Sequence, residues 1–338
     1  MKYQFEHNNG SGRAVRGALF IYLILMFFHP ALEALPRSED DIRQMIEEAD
    51  KLATVQPERA IRLGKEATEA AESLGEDNLT VDALNSLGMI HFRKNQLEEA
   101  EKVLLKAIEI SEDSGYLEGS GIAINRLGSV YWIMEKRIEA KNLFDQALII
   151  HRERGDVRET SRTLNNLANA YRYWDDYPQA IELLLEARKG YQEVEYLEGS
   201  AWLSYSLGLL YKKIEDYESA LDAISSALDI YMDLAEQDGS YNGVMICYGQ
   251  LGDIYNQTGV PSRALDYHQR ALRLRRDTGN DAAIADGLNG VGESYFFLGD
   301  LEKAEEYFLR SQEIRKKVGQ IDGTASNLTF LGRIYQEW

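Results

Sequence analysis

The chain has 338 residues, of which 44% are apolar, 10% aromatic and only 5 proline, and its formal charge is −19. So aromatic a sequence folds rather than staying disordered, and its negative field excludes nucleic acid as a partner, because phosphate binding needs a basic surface. One cysteine, Cys247, and 5 histidines without an HxxxH pair leave no internal disulfide, no thiolate metal site and no cofactor to expect.

Residues 1–34 read as an export signal. Lys2, Arg13 and Arg16 stand against Glu6 in a polar lead, GALFIYLILMFF runs uncharged from Gly17 to Phe28, Pro30 breaks it, and Ala34 marks the expected cut. The run is short for a bilayer span, although an uncleaved anchor helix or a buried strand is a competing reading. Leu32 at the −3 position is not the small residue that signal peptidase prefers, so the cut site stays open. Export places the chain in the periplasm or another extracytoplasmic space, which suits its lack of spare thiols.

Residues 35–79 hold a degenerate helical hairpin. Ala60 and Ala67 keep the small-residue positions of the units that follow, while Glu47, Glu48 and Lys51 replace apolar ones. Ser38 and Asp41 form a variant capping box, and a polar first helix suits a terminal cap.

From residue 80 a ruler takes over. Leu87-Gly88, Leu127-Gly128, Leu167-Ala168, Leu207-Gly208, Leu251-Gly252, Val291-Gly292 and Leu331-Gly332 recur with steps of 40, 40, 40, 44, 40 and 40. Counting each leading apolar residue as zero, position +4 is His91 and then six tyrosines, from Tyr131 to Tyr335. Position +13 is Ala100, Ala140, Ala180, Ala220, Ala264 or Ala304, and +20 is Ala107, Ala147, Ala187, Ala227, Ala271 or Ser311. Zero, +1 and +4 share one face of a first helix; +13, +17 and +20 share one face of a second. Small residues at +1, +13 and +20 let two antiparallel helices approach closely. Asp175-Asp176, Glu215-Asp216, Gly259 with Pro261, and Gly299-Asp300 fall where the helices must turn. Each hairpin cannot bury its apolar face alone, so stacking supplies the core. The single four-residue departure, around Glu236–Asn242, is a hinge or a contact loop. Residues 324–338 form the first helix of a further unit, whose Phe330, Ile334 and Trp338 are expected to face outward; the alternative is that this helix closes the stack.

The segments Asn165-Asn166-Leu167-Ala168-Asn169-Ala170-Tyr171 and Asp176-Tyr177-Pro178-Gln179-Ala180 resemble the tetratricopeptide repeat family, in the forty-residue form of kinesin light chains and peptide-binding polarity adaptors. The resemblance runs over about residues 38–338, with six repeats in 80–323, and departs from the family in lacking the proline that closes the second helix. It implies an all-α fold, a right-handed α-solenoid of stacked helix-turn-helix units. It also implies a non-catalytic protein-interaction module whose first helices line a concave groove for a peptide.

Helical phase puts positions −5, −1, +2 and +6 opposite the core face. These positions and their neighbours supply Arg93, Arg126, Arg162, Arg172 and Lys213 in the first four repeats, and Asp253, Asp286 and Glu293 in the last two. A bipolar groove is expected. At the third repeat the match to the family's groove includes Asn166 and Asn169, whose carboxamides suit a peptide backbone, and Tyr173 and Trp202 offer rings to grip a side chain. The competing reading is a merely wet wall, with Trp202 and its apolar neighbours used in packing. The basic row points to an acidic or carboxylate-bearing segment of a protein partner.

Other motifs resolve without chemistry. Leu288-Asn-Gly-Val-Gly-Glu293 has no strand before it and is no phosphate loop, and Glu39-Asp40-Asp41 lacks the pattern of a calcium loop. His91 and Cys247 read as packed core residues. Two functions fit: a complete exported scaffold or peptide-binding module, or the sensor part of a longer bacterial signalling protein with a diguanylate cyclase, kinase or regulator domain. Membrane contact is expected only if the signal is retained or the chain continues.

Overall fold

A computed structural model describes residues 38–319 and 324–337, so the expected export segment and Trp338 lie outside the described residues. Among those residues there are fifteen α-helices and no strand. They follow in twos: α1 (Glu39–Leu52) and α2 (Pro57–Leu74), α3 (Asp77–Arg93) and α4 (Leu97–Ser114), α5 (Leu117–Ile133) and α6 (Arg137–Glu153), α7 (Val157–Tyr173) and α8 (Tyr177–Glu193). Next come α9 (Leu197–Lys213) and α10 (Tyr217–Asp238), α11 (Asn242–Gln257) and α12 (Pro261–Asp277), α13 (Asp281–Leu298) and α14 (Leu301–Lys317), and then α15 (Thr324–Glu337). The helices make an α-solenoid of stacked hairpins. Its contacts divide into two compact units, with the boundary in sequence after Val130 within α5.

The local signals act as the physics requires. Ser38 Oγ accepts from Asp41 N at 3.2 Å while Asp41 Oδ2 accepts from Ser38 N at 2.9 Å, which closes a capping box on α1. Between paired helices one residue turns left-handed: Asn95, Glu135, Asp175 and Glu215 do so at φ 58–63°, and Gly259 and Gly299 at 76° and 81°. Asp176, Asp216 and Asp300 then cap α8, α10 and α14 by accepting from Gln179, Ser219 and Lys303 amides.

In the first unit, Ala49, Ala60, Ile61, Leu87 and Ile90 form one core cluster and Val81, Leu84, Ala107 and Ala123 another. In the second, Phe144, Leu164, Leu184, Leu203 and Leu207 pack as a single core, followed by a cluster around Ile224, Leu251 and Ile254. Every alanine at +13 and +20 is fully buried. Close approach explains the small residue at +1: a Cβ on Gly208 would lie 2.3 Å from Ile224, and one on Gly252 would lie 2.3 Å from His268.

The insertion and the last helix each depart from the regular hairpin. The four-residue insertion lengthens α10 to 22 residues, against 17 for α8 and α12, and α10 ends at Gly239 with φ 74°. A cleft of about 360 Å³ opens there, with Met232, Val244, Tyr248 and Leu274 in its walls. The expectation for the last helix is corrected. Ile334 does not face outward but is buried with Leu331 against Ala304 and Phe308, and Phe330 stacks on Phe308 at 5.2 Å. The reason is geometric: α15 lays its core face on the preceding hairpin, so that among the described residues Leu328 and Tyr335 are left exposed. Among the described residues no helix is long and apolar enough to cross a membrane, and no cluster of His, Cys, Asp or Glu is arranged to hold a metal.

Candidate functional site

In the second unit, the last turns of α5, α7 and α9 and the first turn of α8 bound a cavity of about 400 Å³. Trp132, Tyr173, Tyr177, Leu209 and Leu210 make its apolar walls, and Arg172, Asp175 and Lys213 its charged rim. Trp132 and Tyr173 meet edge to face at 6.2 Å, a favoured aromatic geometry that stiffens one wall. The acidic neighbours are occupied: Asp175 accepts from the Tyr177 hydroxyl at 2.6 Å, and Glu135 accepts from the Tyr173 hydroxyl at 3.2 Å. Arg172 and Lys213 are exposed, and neither is in an ion pair among the described residues. Both sit in the last turn of a helix, where the backbone dipole favours a cation. An apolar hollow therefore has two uncommitted positive charges at its mouth.

The nine residues expected in the groove distribute unequally. Arg172, Tyr173 and Lys213 converge on the cavity. Asn169 is half-buried and its carboxamide makes no hydrogen bond among the described residues, Asn166 is half-buried beside it, and Trp202 stands 48% exposed with its ring against Tyr205 at 5.8 Å. Arg162 is not a free member of the basic row: it pairs with Glu159 at 2.6 Å, three residues earlier on α7. In the first unit Arg93 is exposed at the end of α3 and Arg126 is half-buried on α5, where its charge is felt by Asp82. Two other positions set opposite the core are covered instead, since Ser86 is buried and donates to Asp50 at 2.6 Å, and Ser129 donates to the Asn125 carbonyl. At Ser86 the neighbouring first helix α1 covers the −1 slot through Asp50, which phase within one helix does not reveal.

Trp132 lies at +5, outside the positions taken as groove-facing. The +5 series reads Phe92, Trp132, Arg172, Lys212, Asn256 and Phe296, and its lack of small residues was the available signal.

Farther along the second unit the polarity changes. His268 occupies +17, a slot filled elsewhere by Leu104, Phe144, Leu184, Ile224 and Phe308, and it is fully enclosed. Its Nδ1 is 2.9 Å from Ser294 Oγ, and its Nε2 lies 3.2 Å from the Gly249 carbonyl and 3.3 Å from Asp253 Oδ1. Since both neighbours of Nε2 are acceptors, that nitrogen carries a proton. Lys212 donates to Gln250 at 2.9 Å and to Asp253 Oδ2 at 3.2 Å. Burial disfavours the Asp253 charge, yet the His268 hydrogen bond and the Lys212 ammonium hold its carboxyl below the usual range. The carboxylate of Glu293, at the equivalent position one repeat on, has no hydrogen bond or ion pair among the described residues. Cys247 is buried, and its thiol is pushed up to about 12 by desolvation, so it is an inert core residue.

Models of the tetratricopeptide repeat match residues 81–114, 120–193, 247–282 and 285–318, together a little over half of the chain. Response regulator aspartate phosphatase A of Bacillus subtilis is 36% identical over 70 residues, which is 21% of this chain and 18% of that protein. The chain spans less than a fifth of the length of the curated relatives it matches. Among solved structures, a signal-transduction ATPase with a tetratricopeptide repeat sensor from Pyrococcus horikoshii superposes with a TM-score of 0.68 at 18% identity, covering 88% of this chain and 44% of that one. The repeats of a Podospora anserina kinesin light chain give 0.50 at 16% identity, over 58% and 95% of the two chains. Such likeness speaks for the fold alone.

Proposed function

Because the chain belongs to the tetratricopeptide repeat family, we propose that it is an exported, non-catalytic interaction module that binds a segment of a protein partner in the groove lined by its first helices. One observation carries the reading: the cavity at Trp132, Tyr173 and Leu209 has apolar walls, and its rim cations Arg172 and Lys213 have no partner among the described residues. The site suits an apolar side chain flanked by a carboxylate. Asn169, with its carboxamide uncommitted, is placed on the same helix to meet a peptide backbone. Recognition, not catalysis, is the chemistry such a wall performs, since rings and fixed charges position a ligand without a nucleophile or base aimed at it. Export rests on the residue pattern of 1–34.

The test is a peptide array of acidic and neutral twelve-residue sequences probed with the purified chain. Acidic hits that weaken about tenfold or more in R172E/K213E, and weaken as salt rises, fit the proposal. Equal retention of acidic and neutral peptides, or no change in the double variant, would overturn it.

A further inference from the structure

The wall formed by α11 and α13 carries one carboxylate that the protein does not use. Asp253 at +2 on α11 is held by Lys212 and His268, while Glu293 at +2 on α13 has no counterpart of either. One turn after Glu293 comes Phe297, 46% exposed. Residues four apart on a helix bring their Cβ atoms to about 5–6 Å, so the carboxylate and the ring face the same space. Phe297 belongs to an aromatic group, edge to face with Phe296 at 5.7 Å and with Phe330 at 6.3 Å. That group already accepts a cation from the chain itself, since the Arg333 guanidinium lies 4.6 Å from the centre of Phe296.

We propose that Glu293 and Phe297 form a cation-binding site that takes a lysine or arginine side chain of the bound segment, between the carboxylate and the ring. The inference extends the reading of this wall as a ligand surface, and it sets the polarity of the segment: acidic toward α7 and α9, basic toward α13.

The charges around Glu293 explain why a cation is needed there. Burial pushes its carboxyl up to about 7, and the negative charge of Asp253 adds to the effect, against the weaker pull of His268 on α12 and Lys212 on α9. The remaining cations nearby are engaged elsewhere: Arg315 on α14 pairs with Asp286, Arg275 on α12 interacts with Asp286 and Asp253, and Arg333 on α15 sits over Phe296 and Phe330. A ligand cation binds the ionised carboxylate, whose fraction rises with pH through 7. Binding therefore expels roughly half a proton at pH 7 and tightens about tenfold from pH 6 to pH 8.

The experiment titrates the full chain, labelled with 4-fluorophenylalanine, with N-acetyl-arginine amide and with the neutral N-acetyl-citrulline amide. The Phe297 fluorine resonance is assigned by its loss in F297L. A saturable shift with the arginine probe, at least fivefold weaker with the citrulline probe, abolished in E293Q and strengthening with pH, is the expected result. Equal response to the two probes, or an E293Q protein that still binds arginine with the same pH dependence, would sink the site and point to His268 or to simple stacking. The R172E/K213E protein is run beside it: its failure to bind acidic peptides tests the other pocket and leaves the arginine titration unchanged.

Discussion

The wall at α7 and α9 and the wall at α11 and α13 are built on the same ruler, yet their free charges have opposite sign. In the first, Asp175 and Glu135 are occupied by tyrosine hydroxyls while Arg172 and Lys213 remain uncommitted. In the second, Lys212 and His268 are tied to Asp253 while Glu293 is left over. The difference teaches that net charge at a wall is a poor guide to what it offers a ligand. What matters is which charged groups the fold has already engaged in hydrogen bonds or ion pairs.

The comparison breaks most severely at Asp253. Changing it to Ala leaves the enclosed His268 and the mostly covered Lys212 without their anion, and about 3 kcal/mol of stability should be lost, read from urea unfolding. Arg172→Ala, its counterpart on the other wall, removes no pair and should cost less than about 0.5 kcal/mol. A midpoint unchanged by Asp253→Ala would show the network to be ornamental.

Close packing gives the next effect. Gly252→Ala puts a Cβ 2.3 Å from the His268 ring and should destabilise by about 2 kcal/mol, whereas Gly332→Ala on α15 meets nothing within 4 Å and should stabilise by up to about 1 kcal/mol through helix propensity. Thermal melts of both variants decide it, and effects of the same sign would contradict the packing described.

The smallest effect depends on pH. The Glu293 carboxyl is raised, so between about 4.5 and 7 the folded state holds more protons than the unfolded one, and stability falls as pH rises through that window. Glu293→Gln has no charge to bury and should match the wild type near pH 4 but exceed it by about 1–2 kcal/mol at about pH 5.5–6. Parallel stability curves for the two proteins would remove Glu293 from the list of strained charges.

Much of the fold was legible because packing positions repeat. The alanines at +13 and +20 had to be small for two helices to approach, and each is buried; the residues at Asp175, Glu215 and Gly299 had to turn, and each has a positive φ. The candidate site was legible in part. Tyr173 and Lys213 followed from helical phase and Arg172 as the charged neighbour of Tyr173, but Trp132, at the same +5 place one repeat earlier, carried no charge to single it out. Arg162 stood in the expected basic row and is bound by Glu159, and the network around His268 had no signal in the sequence beyond a histidine in an otherwise apolar slot. Ile334 was misread because its covering residue, Phe308, lies on the preceding hairpin.

By itself, the sequence determined the hairpin, its period and its family, since those depend on spacings within one repeat and on backbone turns that few residues tolerate. Tertiary structure alone decided which charges are spent. Lys212 and Asp253 are 41 residues apart and meet at 3.2 Å, a contact set by how successive first helices pack and by the rotamers that packing permits. Those pairings subtract from an acidic chain a pattern of free charge that composition cannot show, and they leave Arg172 and Lys213 on one wall and Glu293 on the other.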